Sequence, residues 1–234
     1  MDAEILVIGG TSGIGRATVR HLVERGRSIG VLARNEPEES LGESVEFMKC
    51  DVLSEEGEAL TVPDTLSGVV YCPGSITLKP FEHTSEEQFH RDWEINVKGA
   101  IRVLRQAAPS LKAFDGVSNV LLFSTVAAQV GMKYHASIAS AKGALEGLVR
   151  SLAAEWAPSV TVNALAPTLT ETPLASDLLD SETRREQALE RHPTKEINNS
   201  EDVGRLAASI LAGELNVTGQ IFPVDGGLSA VAPE

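Results

Sequence analysis

Cations are scarce in this chain: 20 lysines and arginines stand against 33 aspartates and glutamates, a formal net charge of −13. Such a surface repels phosphate backbones and anionic membranes, so the expectation is no nucleic acid, no membrane and a small-molecule partner. Cysteine is scarcer still. Cys50 and Cys72 lie in "FMKCDV" and "VVYCPG" among apolar, strand-like residues. Two are too few for a disulfide framework and wrongly spaced for a metal, so buried thiols, no metal and a reducing compartment are expected. Long apolar runs are missing too: none nears the roughly 18 to 20 residues of a membrane span. The opening "AEILVIGG" lacks the basic lead, apolar core and cleavage site of a secretory signal. Together these absences point to a soluble, cytoplasmic protein.

What the chain does have is alternation. "EILVIGG", "SIGVLAR", "VEFMKCDV", "SGVVYCPG", "NVLLFST", "VTVNALAP" and "GQIFPVDGG" are short apolar runs ending in polar or glycine residues, as parallel strands buried on both faces are. Between them, "GIGRATVRHLVERG", "TSEEQFHRDWEINVKGAIRVLRQAAPSL", "AKGALEGLVRSLAAEWA" and "SEDVGRLAASILAGE" repeat apolar residues at spacings of three and four, the signature of amphipathic helices. The pattern predicts an α/β fold: a doubly wound parallel sheet of about seven strands with helices on both faces, the Rossmann arrangement. Residues 1–234 are expected to form one domain, since single α/β domains reach this length. "EEGEALTVPDTL" predicts only a weak or short helix. Residues 169–200 are polar and poor in strand signals, and read either as a helical lid or as a surface excursion.

The first chemical signal is "VIGGTSGIGRA". Gly9, Gly13 and Gly15, with Thr11, Ser12 and Ile14 between them, fall between a strand and a helix, where missing side chains let backbone N–H groups approach a pyrophosphate. About 20 residues further on, the end of the second strand normally faces the adenosine ribose. An acidic residue there would accept from a 2′-hydroxyl, but the chain has Arg34 in "VLARN" and Arg16 just after the glycine turn. Two guanidiniums suit a 2′-phosphate and favour NADP(H) over NAD. Asp51, ending "KCDV", is placed either at the adenine edge or as a strand-end cap.

With these residues in hand, nearly the whole chain resembles the short-chain dehydrogenase/reductase family. "GGTSGIG" is similar to that family's glycine turn, "CDV" (Asp51, Val52) to its adenine-contacting segment and "NVKG" to its catalytic-asparagine segment. "NALAPTLTETPLA" and "TGQIFPVDGG" are similar to its C-terminal segments. The resemblance implies that Gly74 lines the cofactor, Asn96 holds a proton-relay water, Pro167 and Thr172 lie beside the nicotinamide and Lys142 binds its ribose. Thr168 stands where the family usually has glycine. The resemblance also implies a homodimer or homotetramer built through helices around 85–108 and 138–157.

Members of that family carry Tyr-x-x-x-Lys, the tyrosine acting as general acid and base, with a hydroxyl residue 13 positions upstream of it. Counting back from Lys142 reaches Ile138, and the upstream hydroxyl is Thr125, beside Ser124. The usual proton donor is therefore missing, while Asn96, Thr125 and Lys142 persist as candidate catalytic residues. Tyr134 and His135 lie four and three positions before Ile138 and share its face if the helix extends that far. They are the possible substitute donors, and a packing or capping role is the competing reading. Two functions stay open. One is an NADP(H)-dependent oxidoreductase of a small carbonyl or alcohol with atypical or weakened proton transfer. The other is a non-catalytic NADP(H)-binding protein, a sensor or assembly subunit.

Overall fold

The computed structural model describes residues 4–54 and 60–231. The seven strands of its main sheet are those expected: β1 (Ile5–Ile8), β2 (Ile29–Ala33), β3 (Val45–Lys49), β4 (Gly68–Tyr71), β5 (Ser118–Phe123), β6 (Val160–Pro167) and a last strand, Ile221–Val224. They form one parallel sheet in which β3, β2 and β1 run to one edge while β4, β5, β6 and the last strand run to the other. The chain reverses its winding between β1 and β4. That reversal opens a crevice at the carboxyl ends of the strands, where ligands bind in such sheets.

Strand composition explains the double layer. Along β1, Ile5 and Val7 face one core and Leu6 and Ile8 the other, because successive side chains alternate between faces. The first core is closed by α1 (Gly13–Glu24), carrying Val19 and Leu22, and by the C-terminal helix Ser200–Leu211 with Val203 and Ala207. Gly204 lets these two helices touch: a Cβ there would lie 2.6 Å from the Cβ of Ala17. The second core is closed by α3 (Gly99–Ala113) and α4 (Ala136–Trp156), through Val103, Leu104, Leu145 and Val149, while α2 (Glu86–Trp93) packs on α4. A single π turn, Glu94–Lys98, joins α2 to α3.

Two local expectations need correction. Residues 60–66 are not helical, as Val62-Pro63 and the short run before β4 leave no room for a turn with a buried face; residues 55–59 of that segment lie outside the described residues. Nor does α4 reach Tyr134. It starts at Ala136, and Tyr134 has φ of +70°, a left-handed conformation that cannot continue a helix. The 169–200 stretch is partly helical. It contains a second, two-stranded sheet of β7 (Thr170–Glu171) and β8 (Asn198–Asn199), with α5 (Glu182–Arg191) between them. The helix Ser200–Leu211 is accordingly α6 and the strand Ile221–Val224 is β9. No helix among the described residues is long and apolar enough to cross a membrane.

Candidate active site

The glycine turn is shaped as its sequence demands. Gly9 and Gly13 adopt φ of +77° and +50°, open to glycine at little cost. A Cβ on Gly15 would stand 2.2 Å from the carbonyl oxygen of Gly9, so the turn closes only with hydrogen there. Ser12, at the N-cap of α1, makes no side-chain capping bond, which leaves the first-turn N–H groups and the helix dipole for an anion. Gly9, Thr11, Ser12, Gly13, Ile14 and Gly15 line a cavity of 370 Å³ together with Arg34, Asp51, Val52 and Gly74.

The two arginines are not equivalent. Arg34 is exposed on the cavity wall and makes no ion pair among the described residues. Arg16 is ion-paired to Glu39 and does not line the cavity. Asp51 accepts the N–H of Leu53 at 2.9 Å, the strand-end cap, and still lines the same wall as Arg34.

This cavity meets a larger one of 860 Å³, and Ile14, Cys72, Gly74, Thr172 and Leu174 belong to both. Thr125, Ile138, Lys142, Pro167, Tyr134 and His135 all line the larger one. Lys142 is buried on α4, its Nζ donating to the Phe123 carbonyl at 2.6 Å. Burial pulls its pKa down to about 8, although Asp92 and Cys72 act in the opposite direction; the charged form loses solvation and gains no direct ion pair. Asn96 sits in the π turn, a distortion often found at functional sites. Its Nδ2 donates to the Asp92 carbonyl at 2.8 Å and to Ser75 Oγ at 2.9 Å. Its Oδ1 is fully buried and has no partner among the described residues. Gly74 bridges these groups: a Cβ there would lie 3.4 Å from Asn96 Oδ1 and 3.9 Å from Lys142 Nζ. Thr125 Oγ1 accepts from the Ala127 N–H at 3.3 Å, while the adjacent Ser124 donates to buried Glu146 at 2.7 Å. Tyr134 is exposed, and His135, half-buried, sets its Nδ1 against the Lys133 carbonyl at 2.6 Å. Burial pushes the Cys72 thiol up to about 12, which keeps it protonated between the two cavities.

A family model described as enoyl-(acyl carrier protein) reductase matches residues 9–229. A tropinone reductase homolog of Arabidopsis thaliana is 35% identical over 96% of this chain and 92% of its own. A 2,5-dichloro-2,5-cyclohexadiene-1,4-diol dehydrogenase of Sphingobium indicum is 29% identical over 97% of each chain. Among solved structures, one described as a candidate NAD(P) dependent gluconate 5-dehydrogenase from Beutenbergia cavernae, with bound NADP at low occupancy, superposes with a TM-score of 0.88. It is 27% identical and covers 98% of both chains. The chain belongs to the short-chain dehydrogenase/reductase family.

Within this short-chain dehydrogenase/reductase, one group at the site escaped the sequence reading. Asp92 is buried on α2 and accepts hydrogen bonds from three hydroxyls: Ser75 at 2.5 Å, Thr77 at 3.1 Å and Ser137 at 2.6 Å. Four positions before Asn96, it fixes the π turn against the loop after β4 at Ser75 and against the start of α4. The signal was present, since an aspartate one turn from Asn96 shares its helix face, but it carries no motif. A second feature is the bond of 3.1 Å between Thr168 Oγ1 and Nε2 of buried His192. The threonine in place of the family's glycine thus ties β6 to the end of α5.

Proposed function

We propose that this protein is an NADP(H)-dependent oxidoreductase acting on a small carbonyl or alcohol substrate held in the 860 Å³ cavity. The observation that carries this reading is the convergence at Gly74. There an unpartnered buried amide oxygen and a buried lysine meet where a glycine-lined cavity joins an apolar one. The glycine cradle, with the space at Gly15 that no side chain may enter, fits a dinucleotide pyrophosphate. Arg34 is the group for a 2′-phosphate, and Lys142 for the nicotinamide ribose.

When bound, the dinucleotide supplies or accepts the hydride. The chain's own residues hold the substrate and move the proton. Thr125, whose oxygen already accepts from Ala127, offers its O–H to the substrate oxygen. Asn96 Oδ1 holds a relay water next to Lys142, whose pKa of about 8 suits proton exchange near neutrality. Ile138, at the family's tyrosine position, contributes only an apolar wall. Tyr134 and His135 are the substitute donors in this reading; with Nδ1 of His135 on the Lys133 carbonyl, Nε2 is the atom left to take or give a proton. The same reading includes a homodimer or homotetramer through residues 85–108 and 138–157, where Trp93 is 45% exposed.

Ile138 also favours a second reading, a protein that binds NADP(H) without turnover. NADPH consumption across a panel of ketones and aldehydes separates the two. Activity that falls at least tenfold in Thr125→Val and Lys142→Met, with the fold intact, supports the enzyme. Tight NADPH binding with no consumption of any carbonyl supports the binding protein.

A further inference from the structure

The wall of the large cavity is charged opposite to the protein. The chain carries 33 acidic residues, yet no aspartate or glutamate lines the 860 Å³ cavity among the described residues, while Lys133, Arg184 and Arg191 stand on its exposed rim. Helix α5 explains how. Arg184, Gln187, Ala188 and Arg191 fall at spacings of three, four and seven and all line the cavity, so they form one helical face anchored by buried Ala188. Glu182, Glu186 and Glu190, spaced by four, form another face and do not line it. Two of the three arginines of α5 thus face the cavity and all three glutamates face away, while Arg185 points elsewhere and pairs with Glu171.

One of the rim cations is neutralised and two are not. Arg184 is held by the Asp177 carbonyl at 2.6 Å and by Asp180 at 2.9 Å, which fixes its guanidinium in place. Arg191, on α5, and Lys133, in the loop before α4, make no ion pair among the described residues. Below them the wall is apolar, with Ile76, Leu78, Val126, Val130 and Leu169. A low-dielectric cleft capped by charges of one sign concentrates the opposite charge, and an arginine fork matches a carboxylate in particular.

We propose that the substrate of this site has an apolar body and a terminal carboxylate, the carboxylate received by Arg191 and Lys133 while the reacting carbon lies at the Thr125 and Lys142 end. The proposal rests on the oxidoreductase reading above, and its test separates the two. Calorimetry on the full chain saturated with NADP+ would compare 4-phenylbutyrate with its uncharged amide. The carboxylate should bind at least fivefold more tightly, and the Arg191→Gln, Lys133→Gln double variant should lose that preference; both positions are exposed, so the fold tolerates the change. Equal affinities, a preference that survives in the variant, or no binding of either compound would overturn the proposal. Turnover of 4-oxo-4-phenylbutyrate against its methyl ester supplies the second arm. If neither ketone is reduced but the carboxylate preference and its loss are seen, the oxidoreductase reading fails and the anion site stands. If both are reduced equally well, the anion site fails alone.

Discussion

Ser137 and Asp92 are joined across two helices, the serine Oγ donating to the buried carboxylate at 2.6 Å. The bond links the helix that carries Lys142 to the helix that leads into Asn96, with Ser75 and Thr77 completing the set. Asp92→Ala would strand three hydroxyl donors, and burial of unpaired polar groups costs about 1–3 kcal/mol each before relaxation. A loss of about 2–4 kcal/mol in urea unfolding is expected, with Asp92→Asn losing less because one oxygen acceptor remains. A loss below about 0.5 kcal/mol would mean that the hydroxyls find other partners.

On the proposed NADP(H) reading, cofactor choice turns on a competition for Arg16. Arg34 faces the cavity alone, whereas Arg16 is held by Glu39. NADPH should bind at least about tenfold more tightly than NADH, which needs only about 1.4 kcal/mol, and Arg34→Ala should remove most of that preference. Glu39→Gln should enlarge it by releasing the second guanidinium. Fluorescence titration of each variant with both cofactors measures this; a preference for NADH in the wild type would end the phosphate-clamp reading.

The lowered pKa of Lys142 gives stability a definite pH dependence. Folding brings this amine from its ordinary value of 10.5 down to about 8, so between those values the unfolded chain binds more protons than the folded one. Stability contributed by this group therefore rises with pH across that window and is lowest below pH 8. Relative to Lys142→Met, the wild type should gain up to about 3 kcal/mol between pH 8 and 10.5. Denaturation at a series of pH values checks it; a constant difference would show that Lys142 is solvated in the folded state.

Ile138 lies one turn before Lys142 on α4, buried in the cavity wall. Ile138→Tyr should place a phenol among Thr125, Lys142 and the substrate oxygen and raise NADPH-dependent turnover on the order of 10². The larger ring should cost roughly 1–3 kcal/mol of stability. Tyr134→Phe with His135→Phe completes the comparison. If the double variant loses activity and Ile138→Tyr adds little, the proton already comes from the loop before α4.

The sheet could be read from the sequence because most of its strands are short, largely apolar runs: β1, β4 and β5 are buried along their full length. The glycine turn was equally plain, since Gly9, Gly13 and Gly15 meet backbone or positive-φ demands that only glycine satisfies. Other features depend on partners distant in sequence. That Arg16 is ion-paired to Glu39 follows from how the loop after β2 returns to α1. That α4 stops short of Tyr134 is set by one backbone torsion. Asp92 finds its three hydroxyls on two segments distant from it in sequence, the loop after β4 and the start of α4, and no spacing within one segment announces that.

The two-residue ladder of β7 and β8, Thr170 with Asn198 and Glu171 with Asn199, closes the neck of a 26-residue excursion that carries α5 and, among the described residues, adds no side chain to either core. So short a ladder, aided by the His192 and Thr168 bond, can break without disturbing either core, and local units of this kind open at free energies well below that of global unfolding. Amides between residues 172 and 197 should then exchange with solvent sooner than those of β1 or β5. Admission of a ligand and durability of the fold would answer to different residues, so the rate at which the cavity opens can be altered through the neck while the melting temperature stays where the sheet sets it.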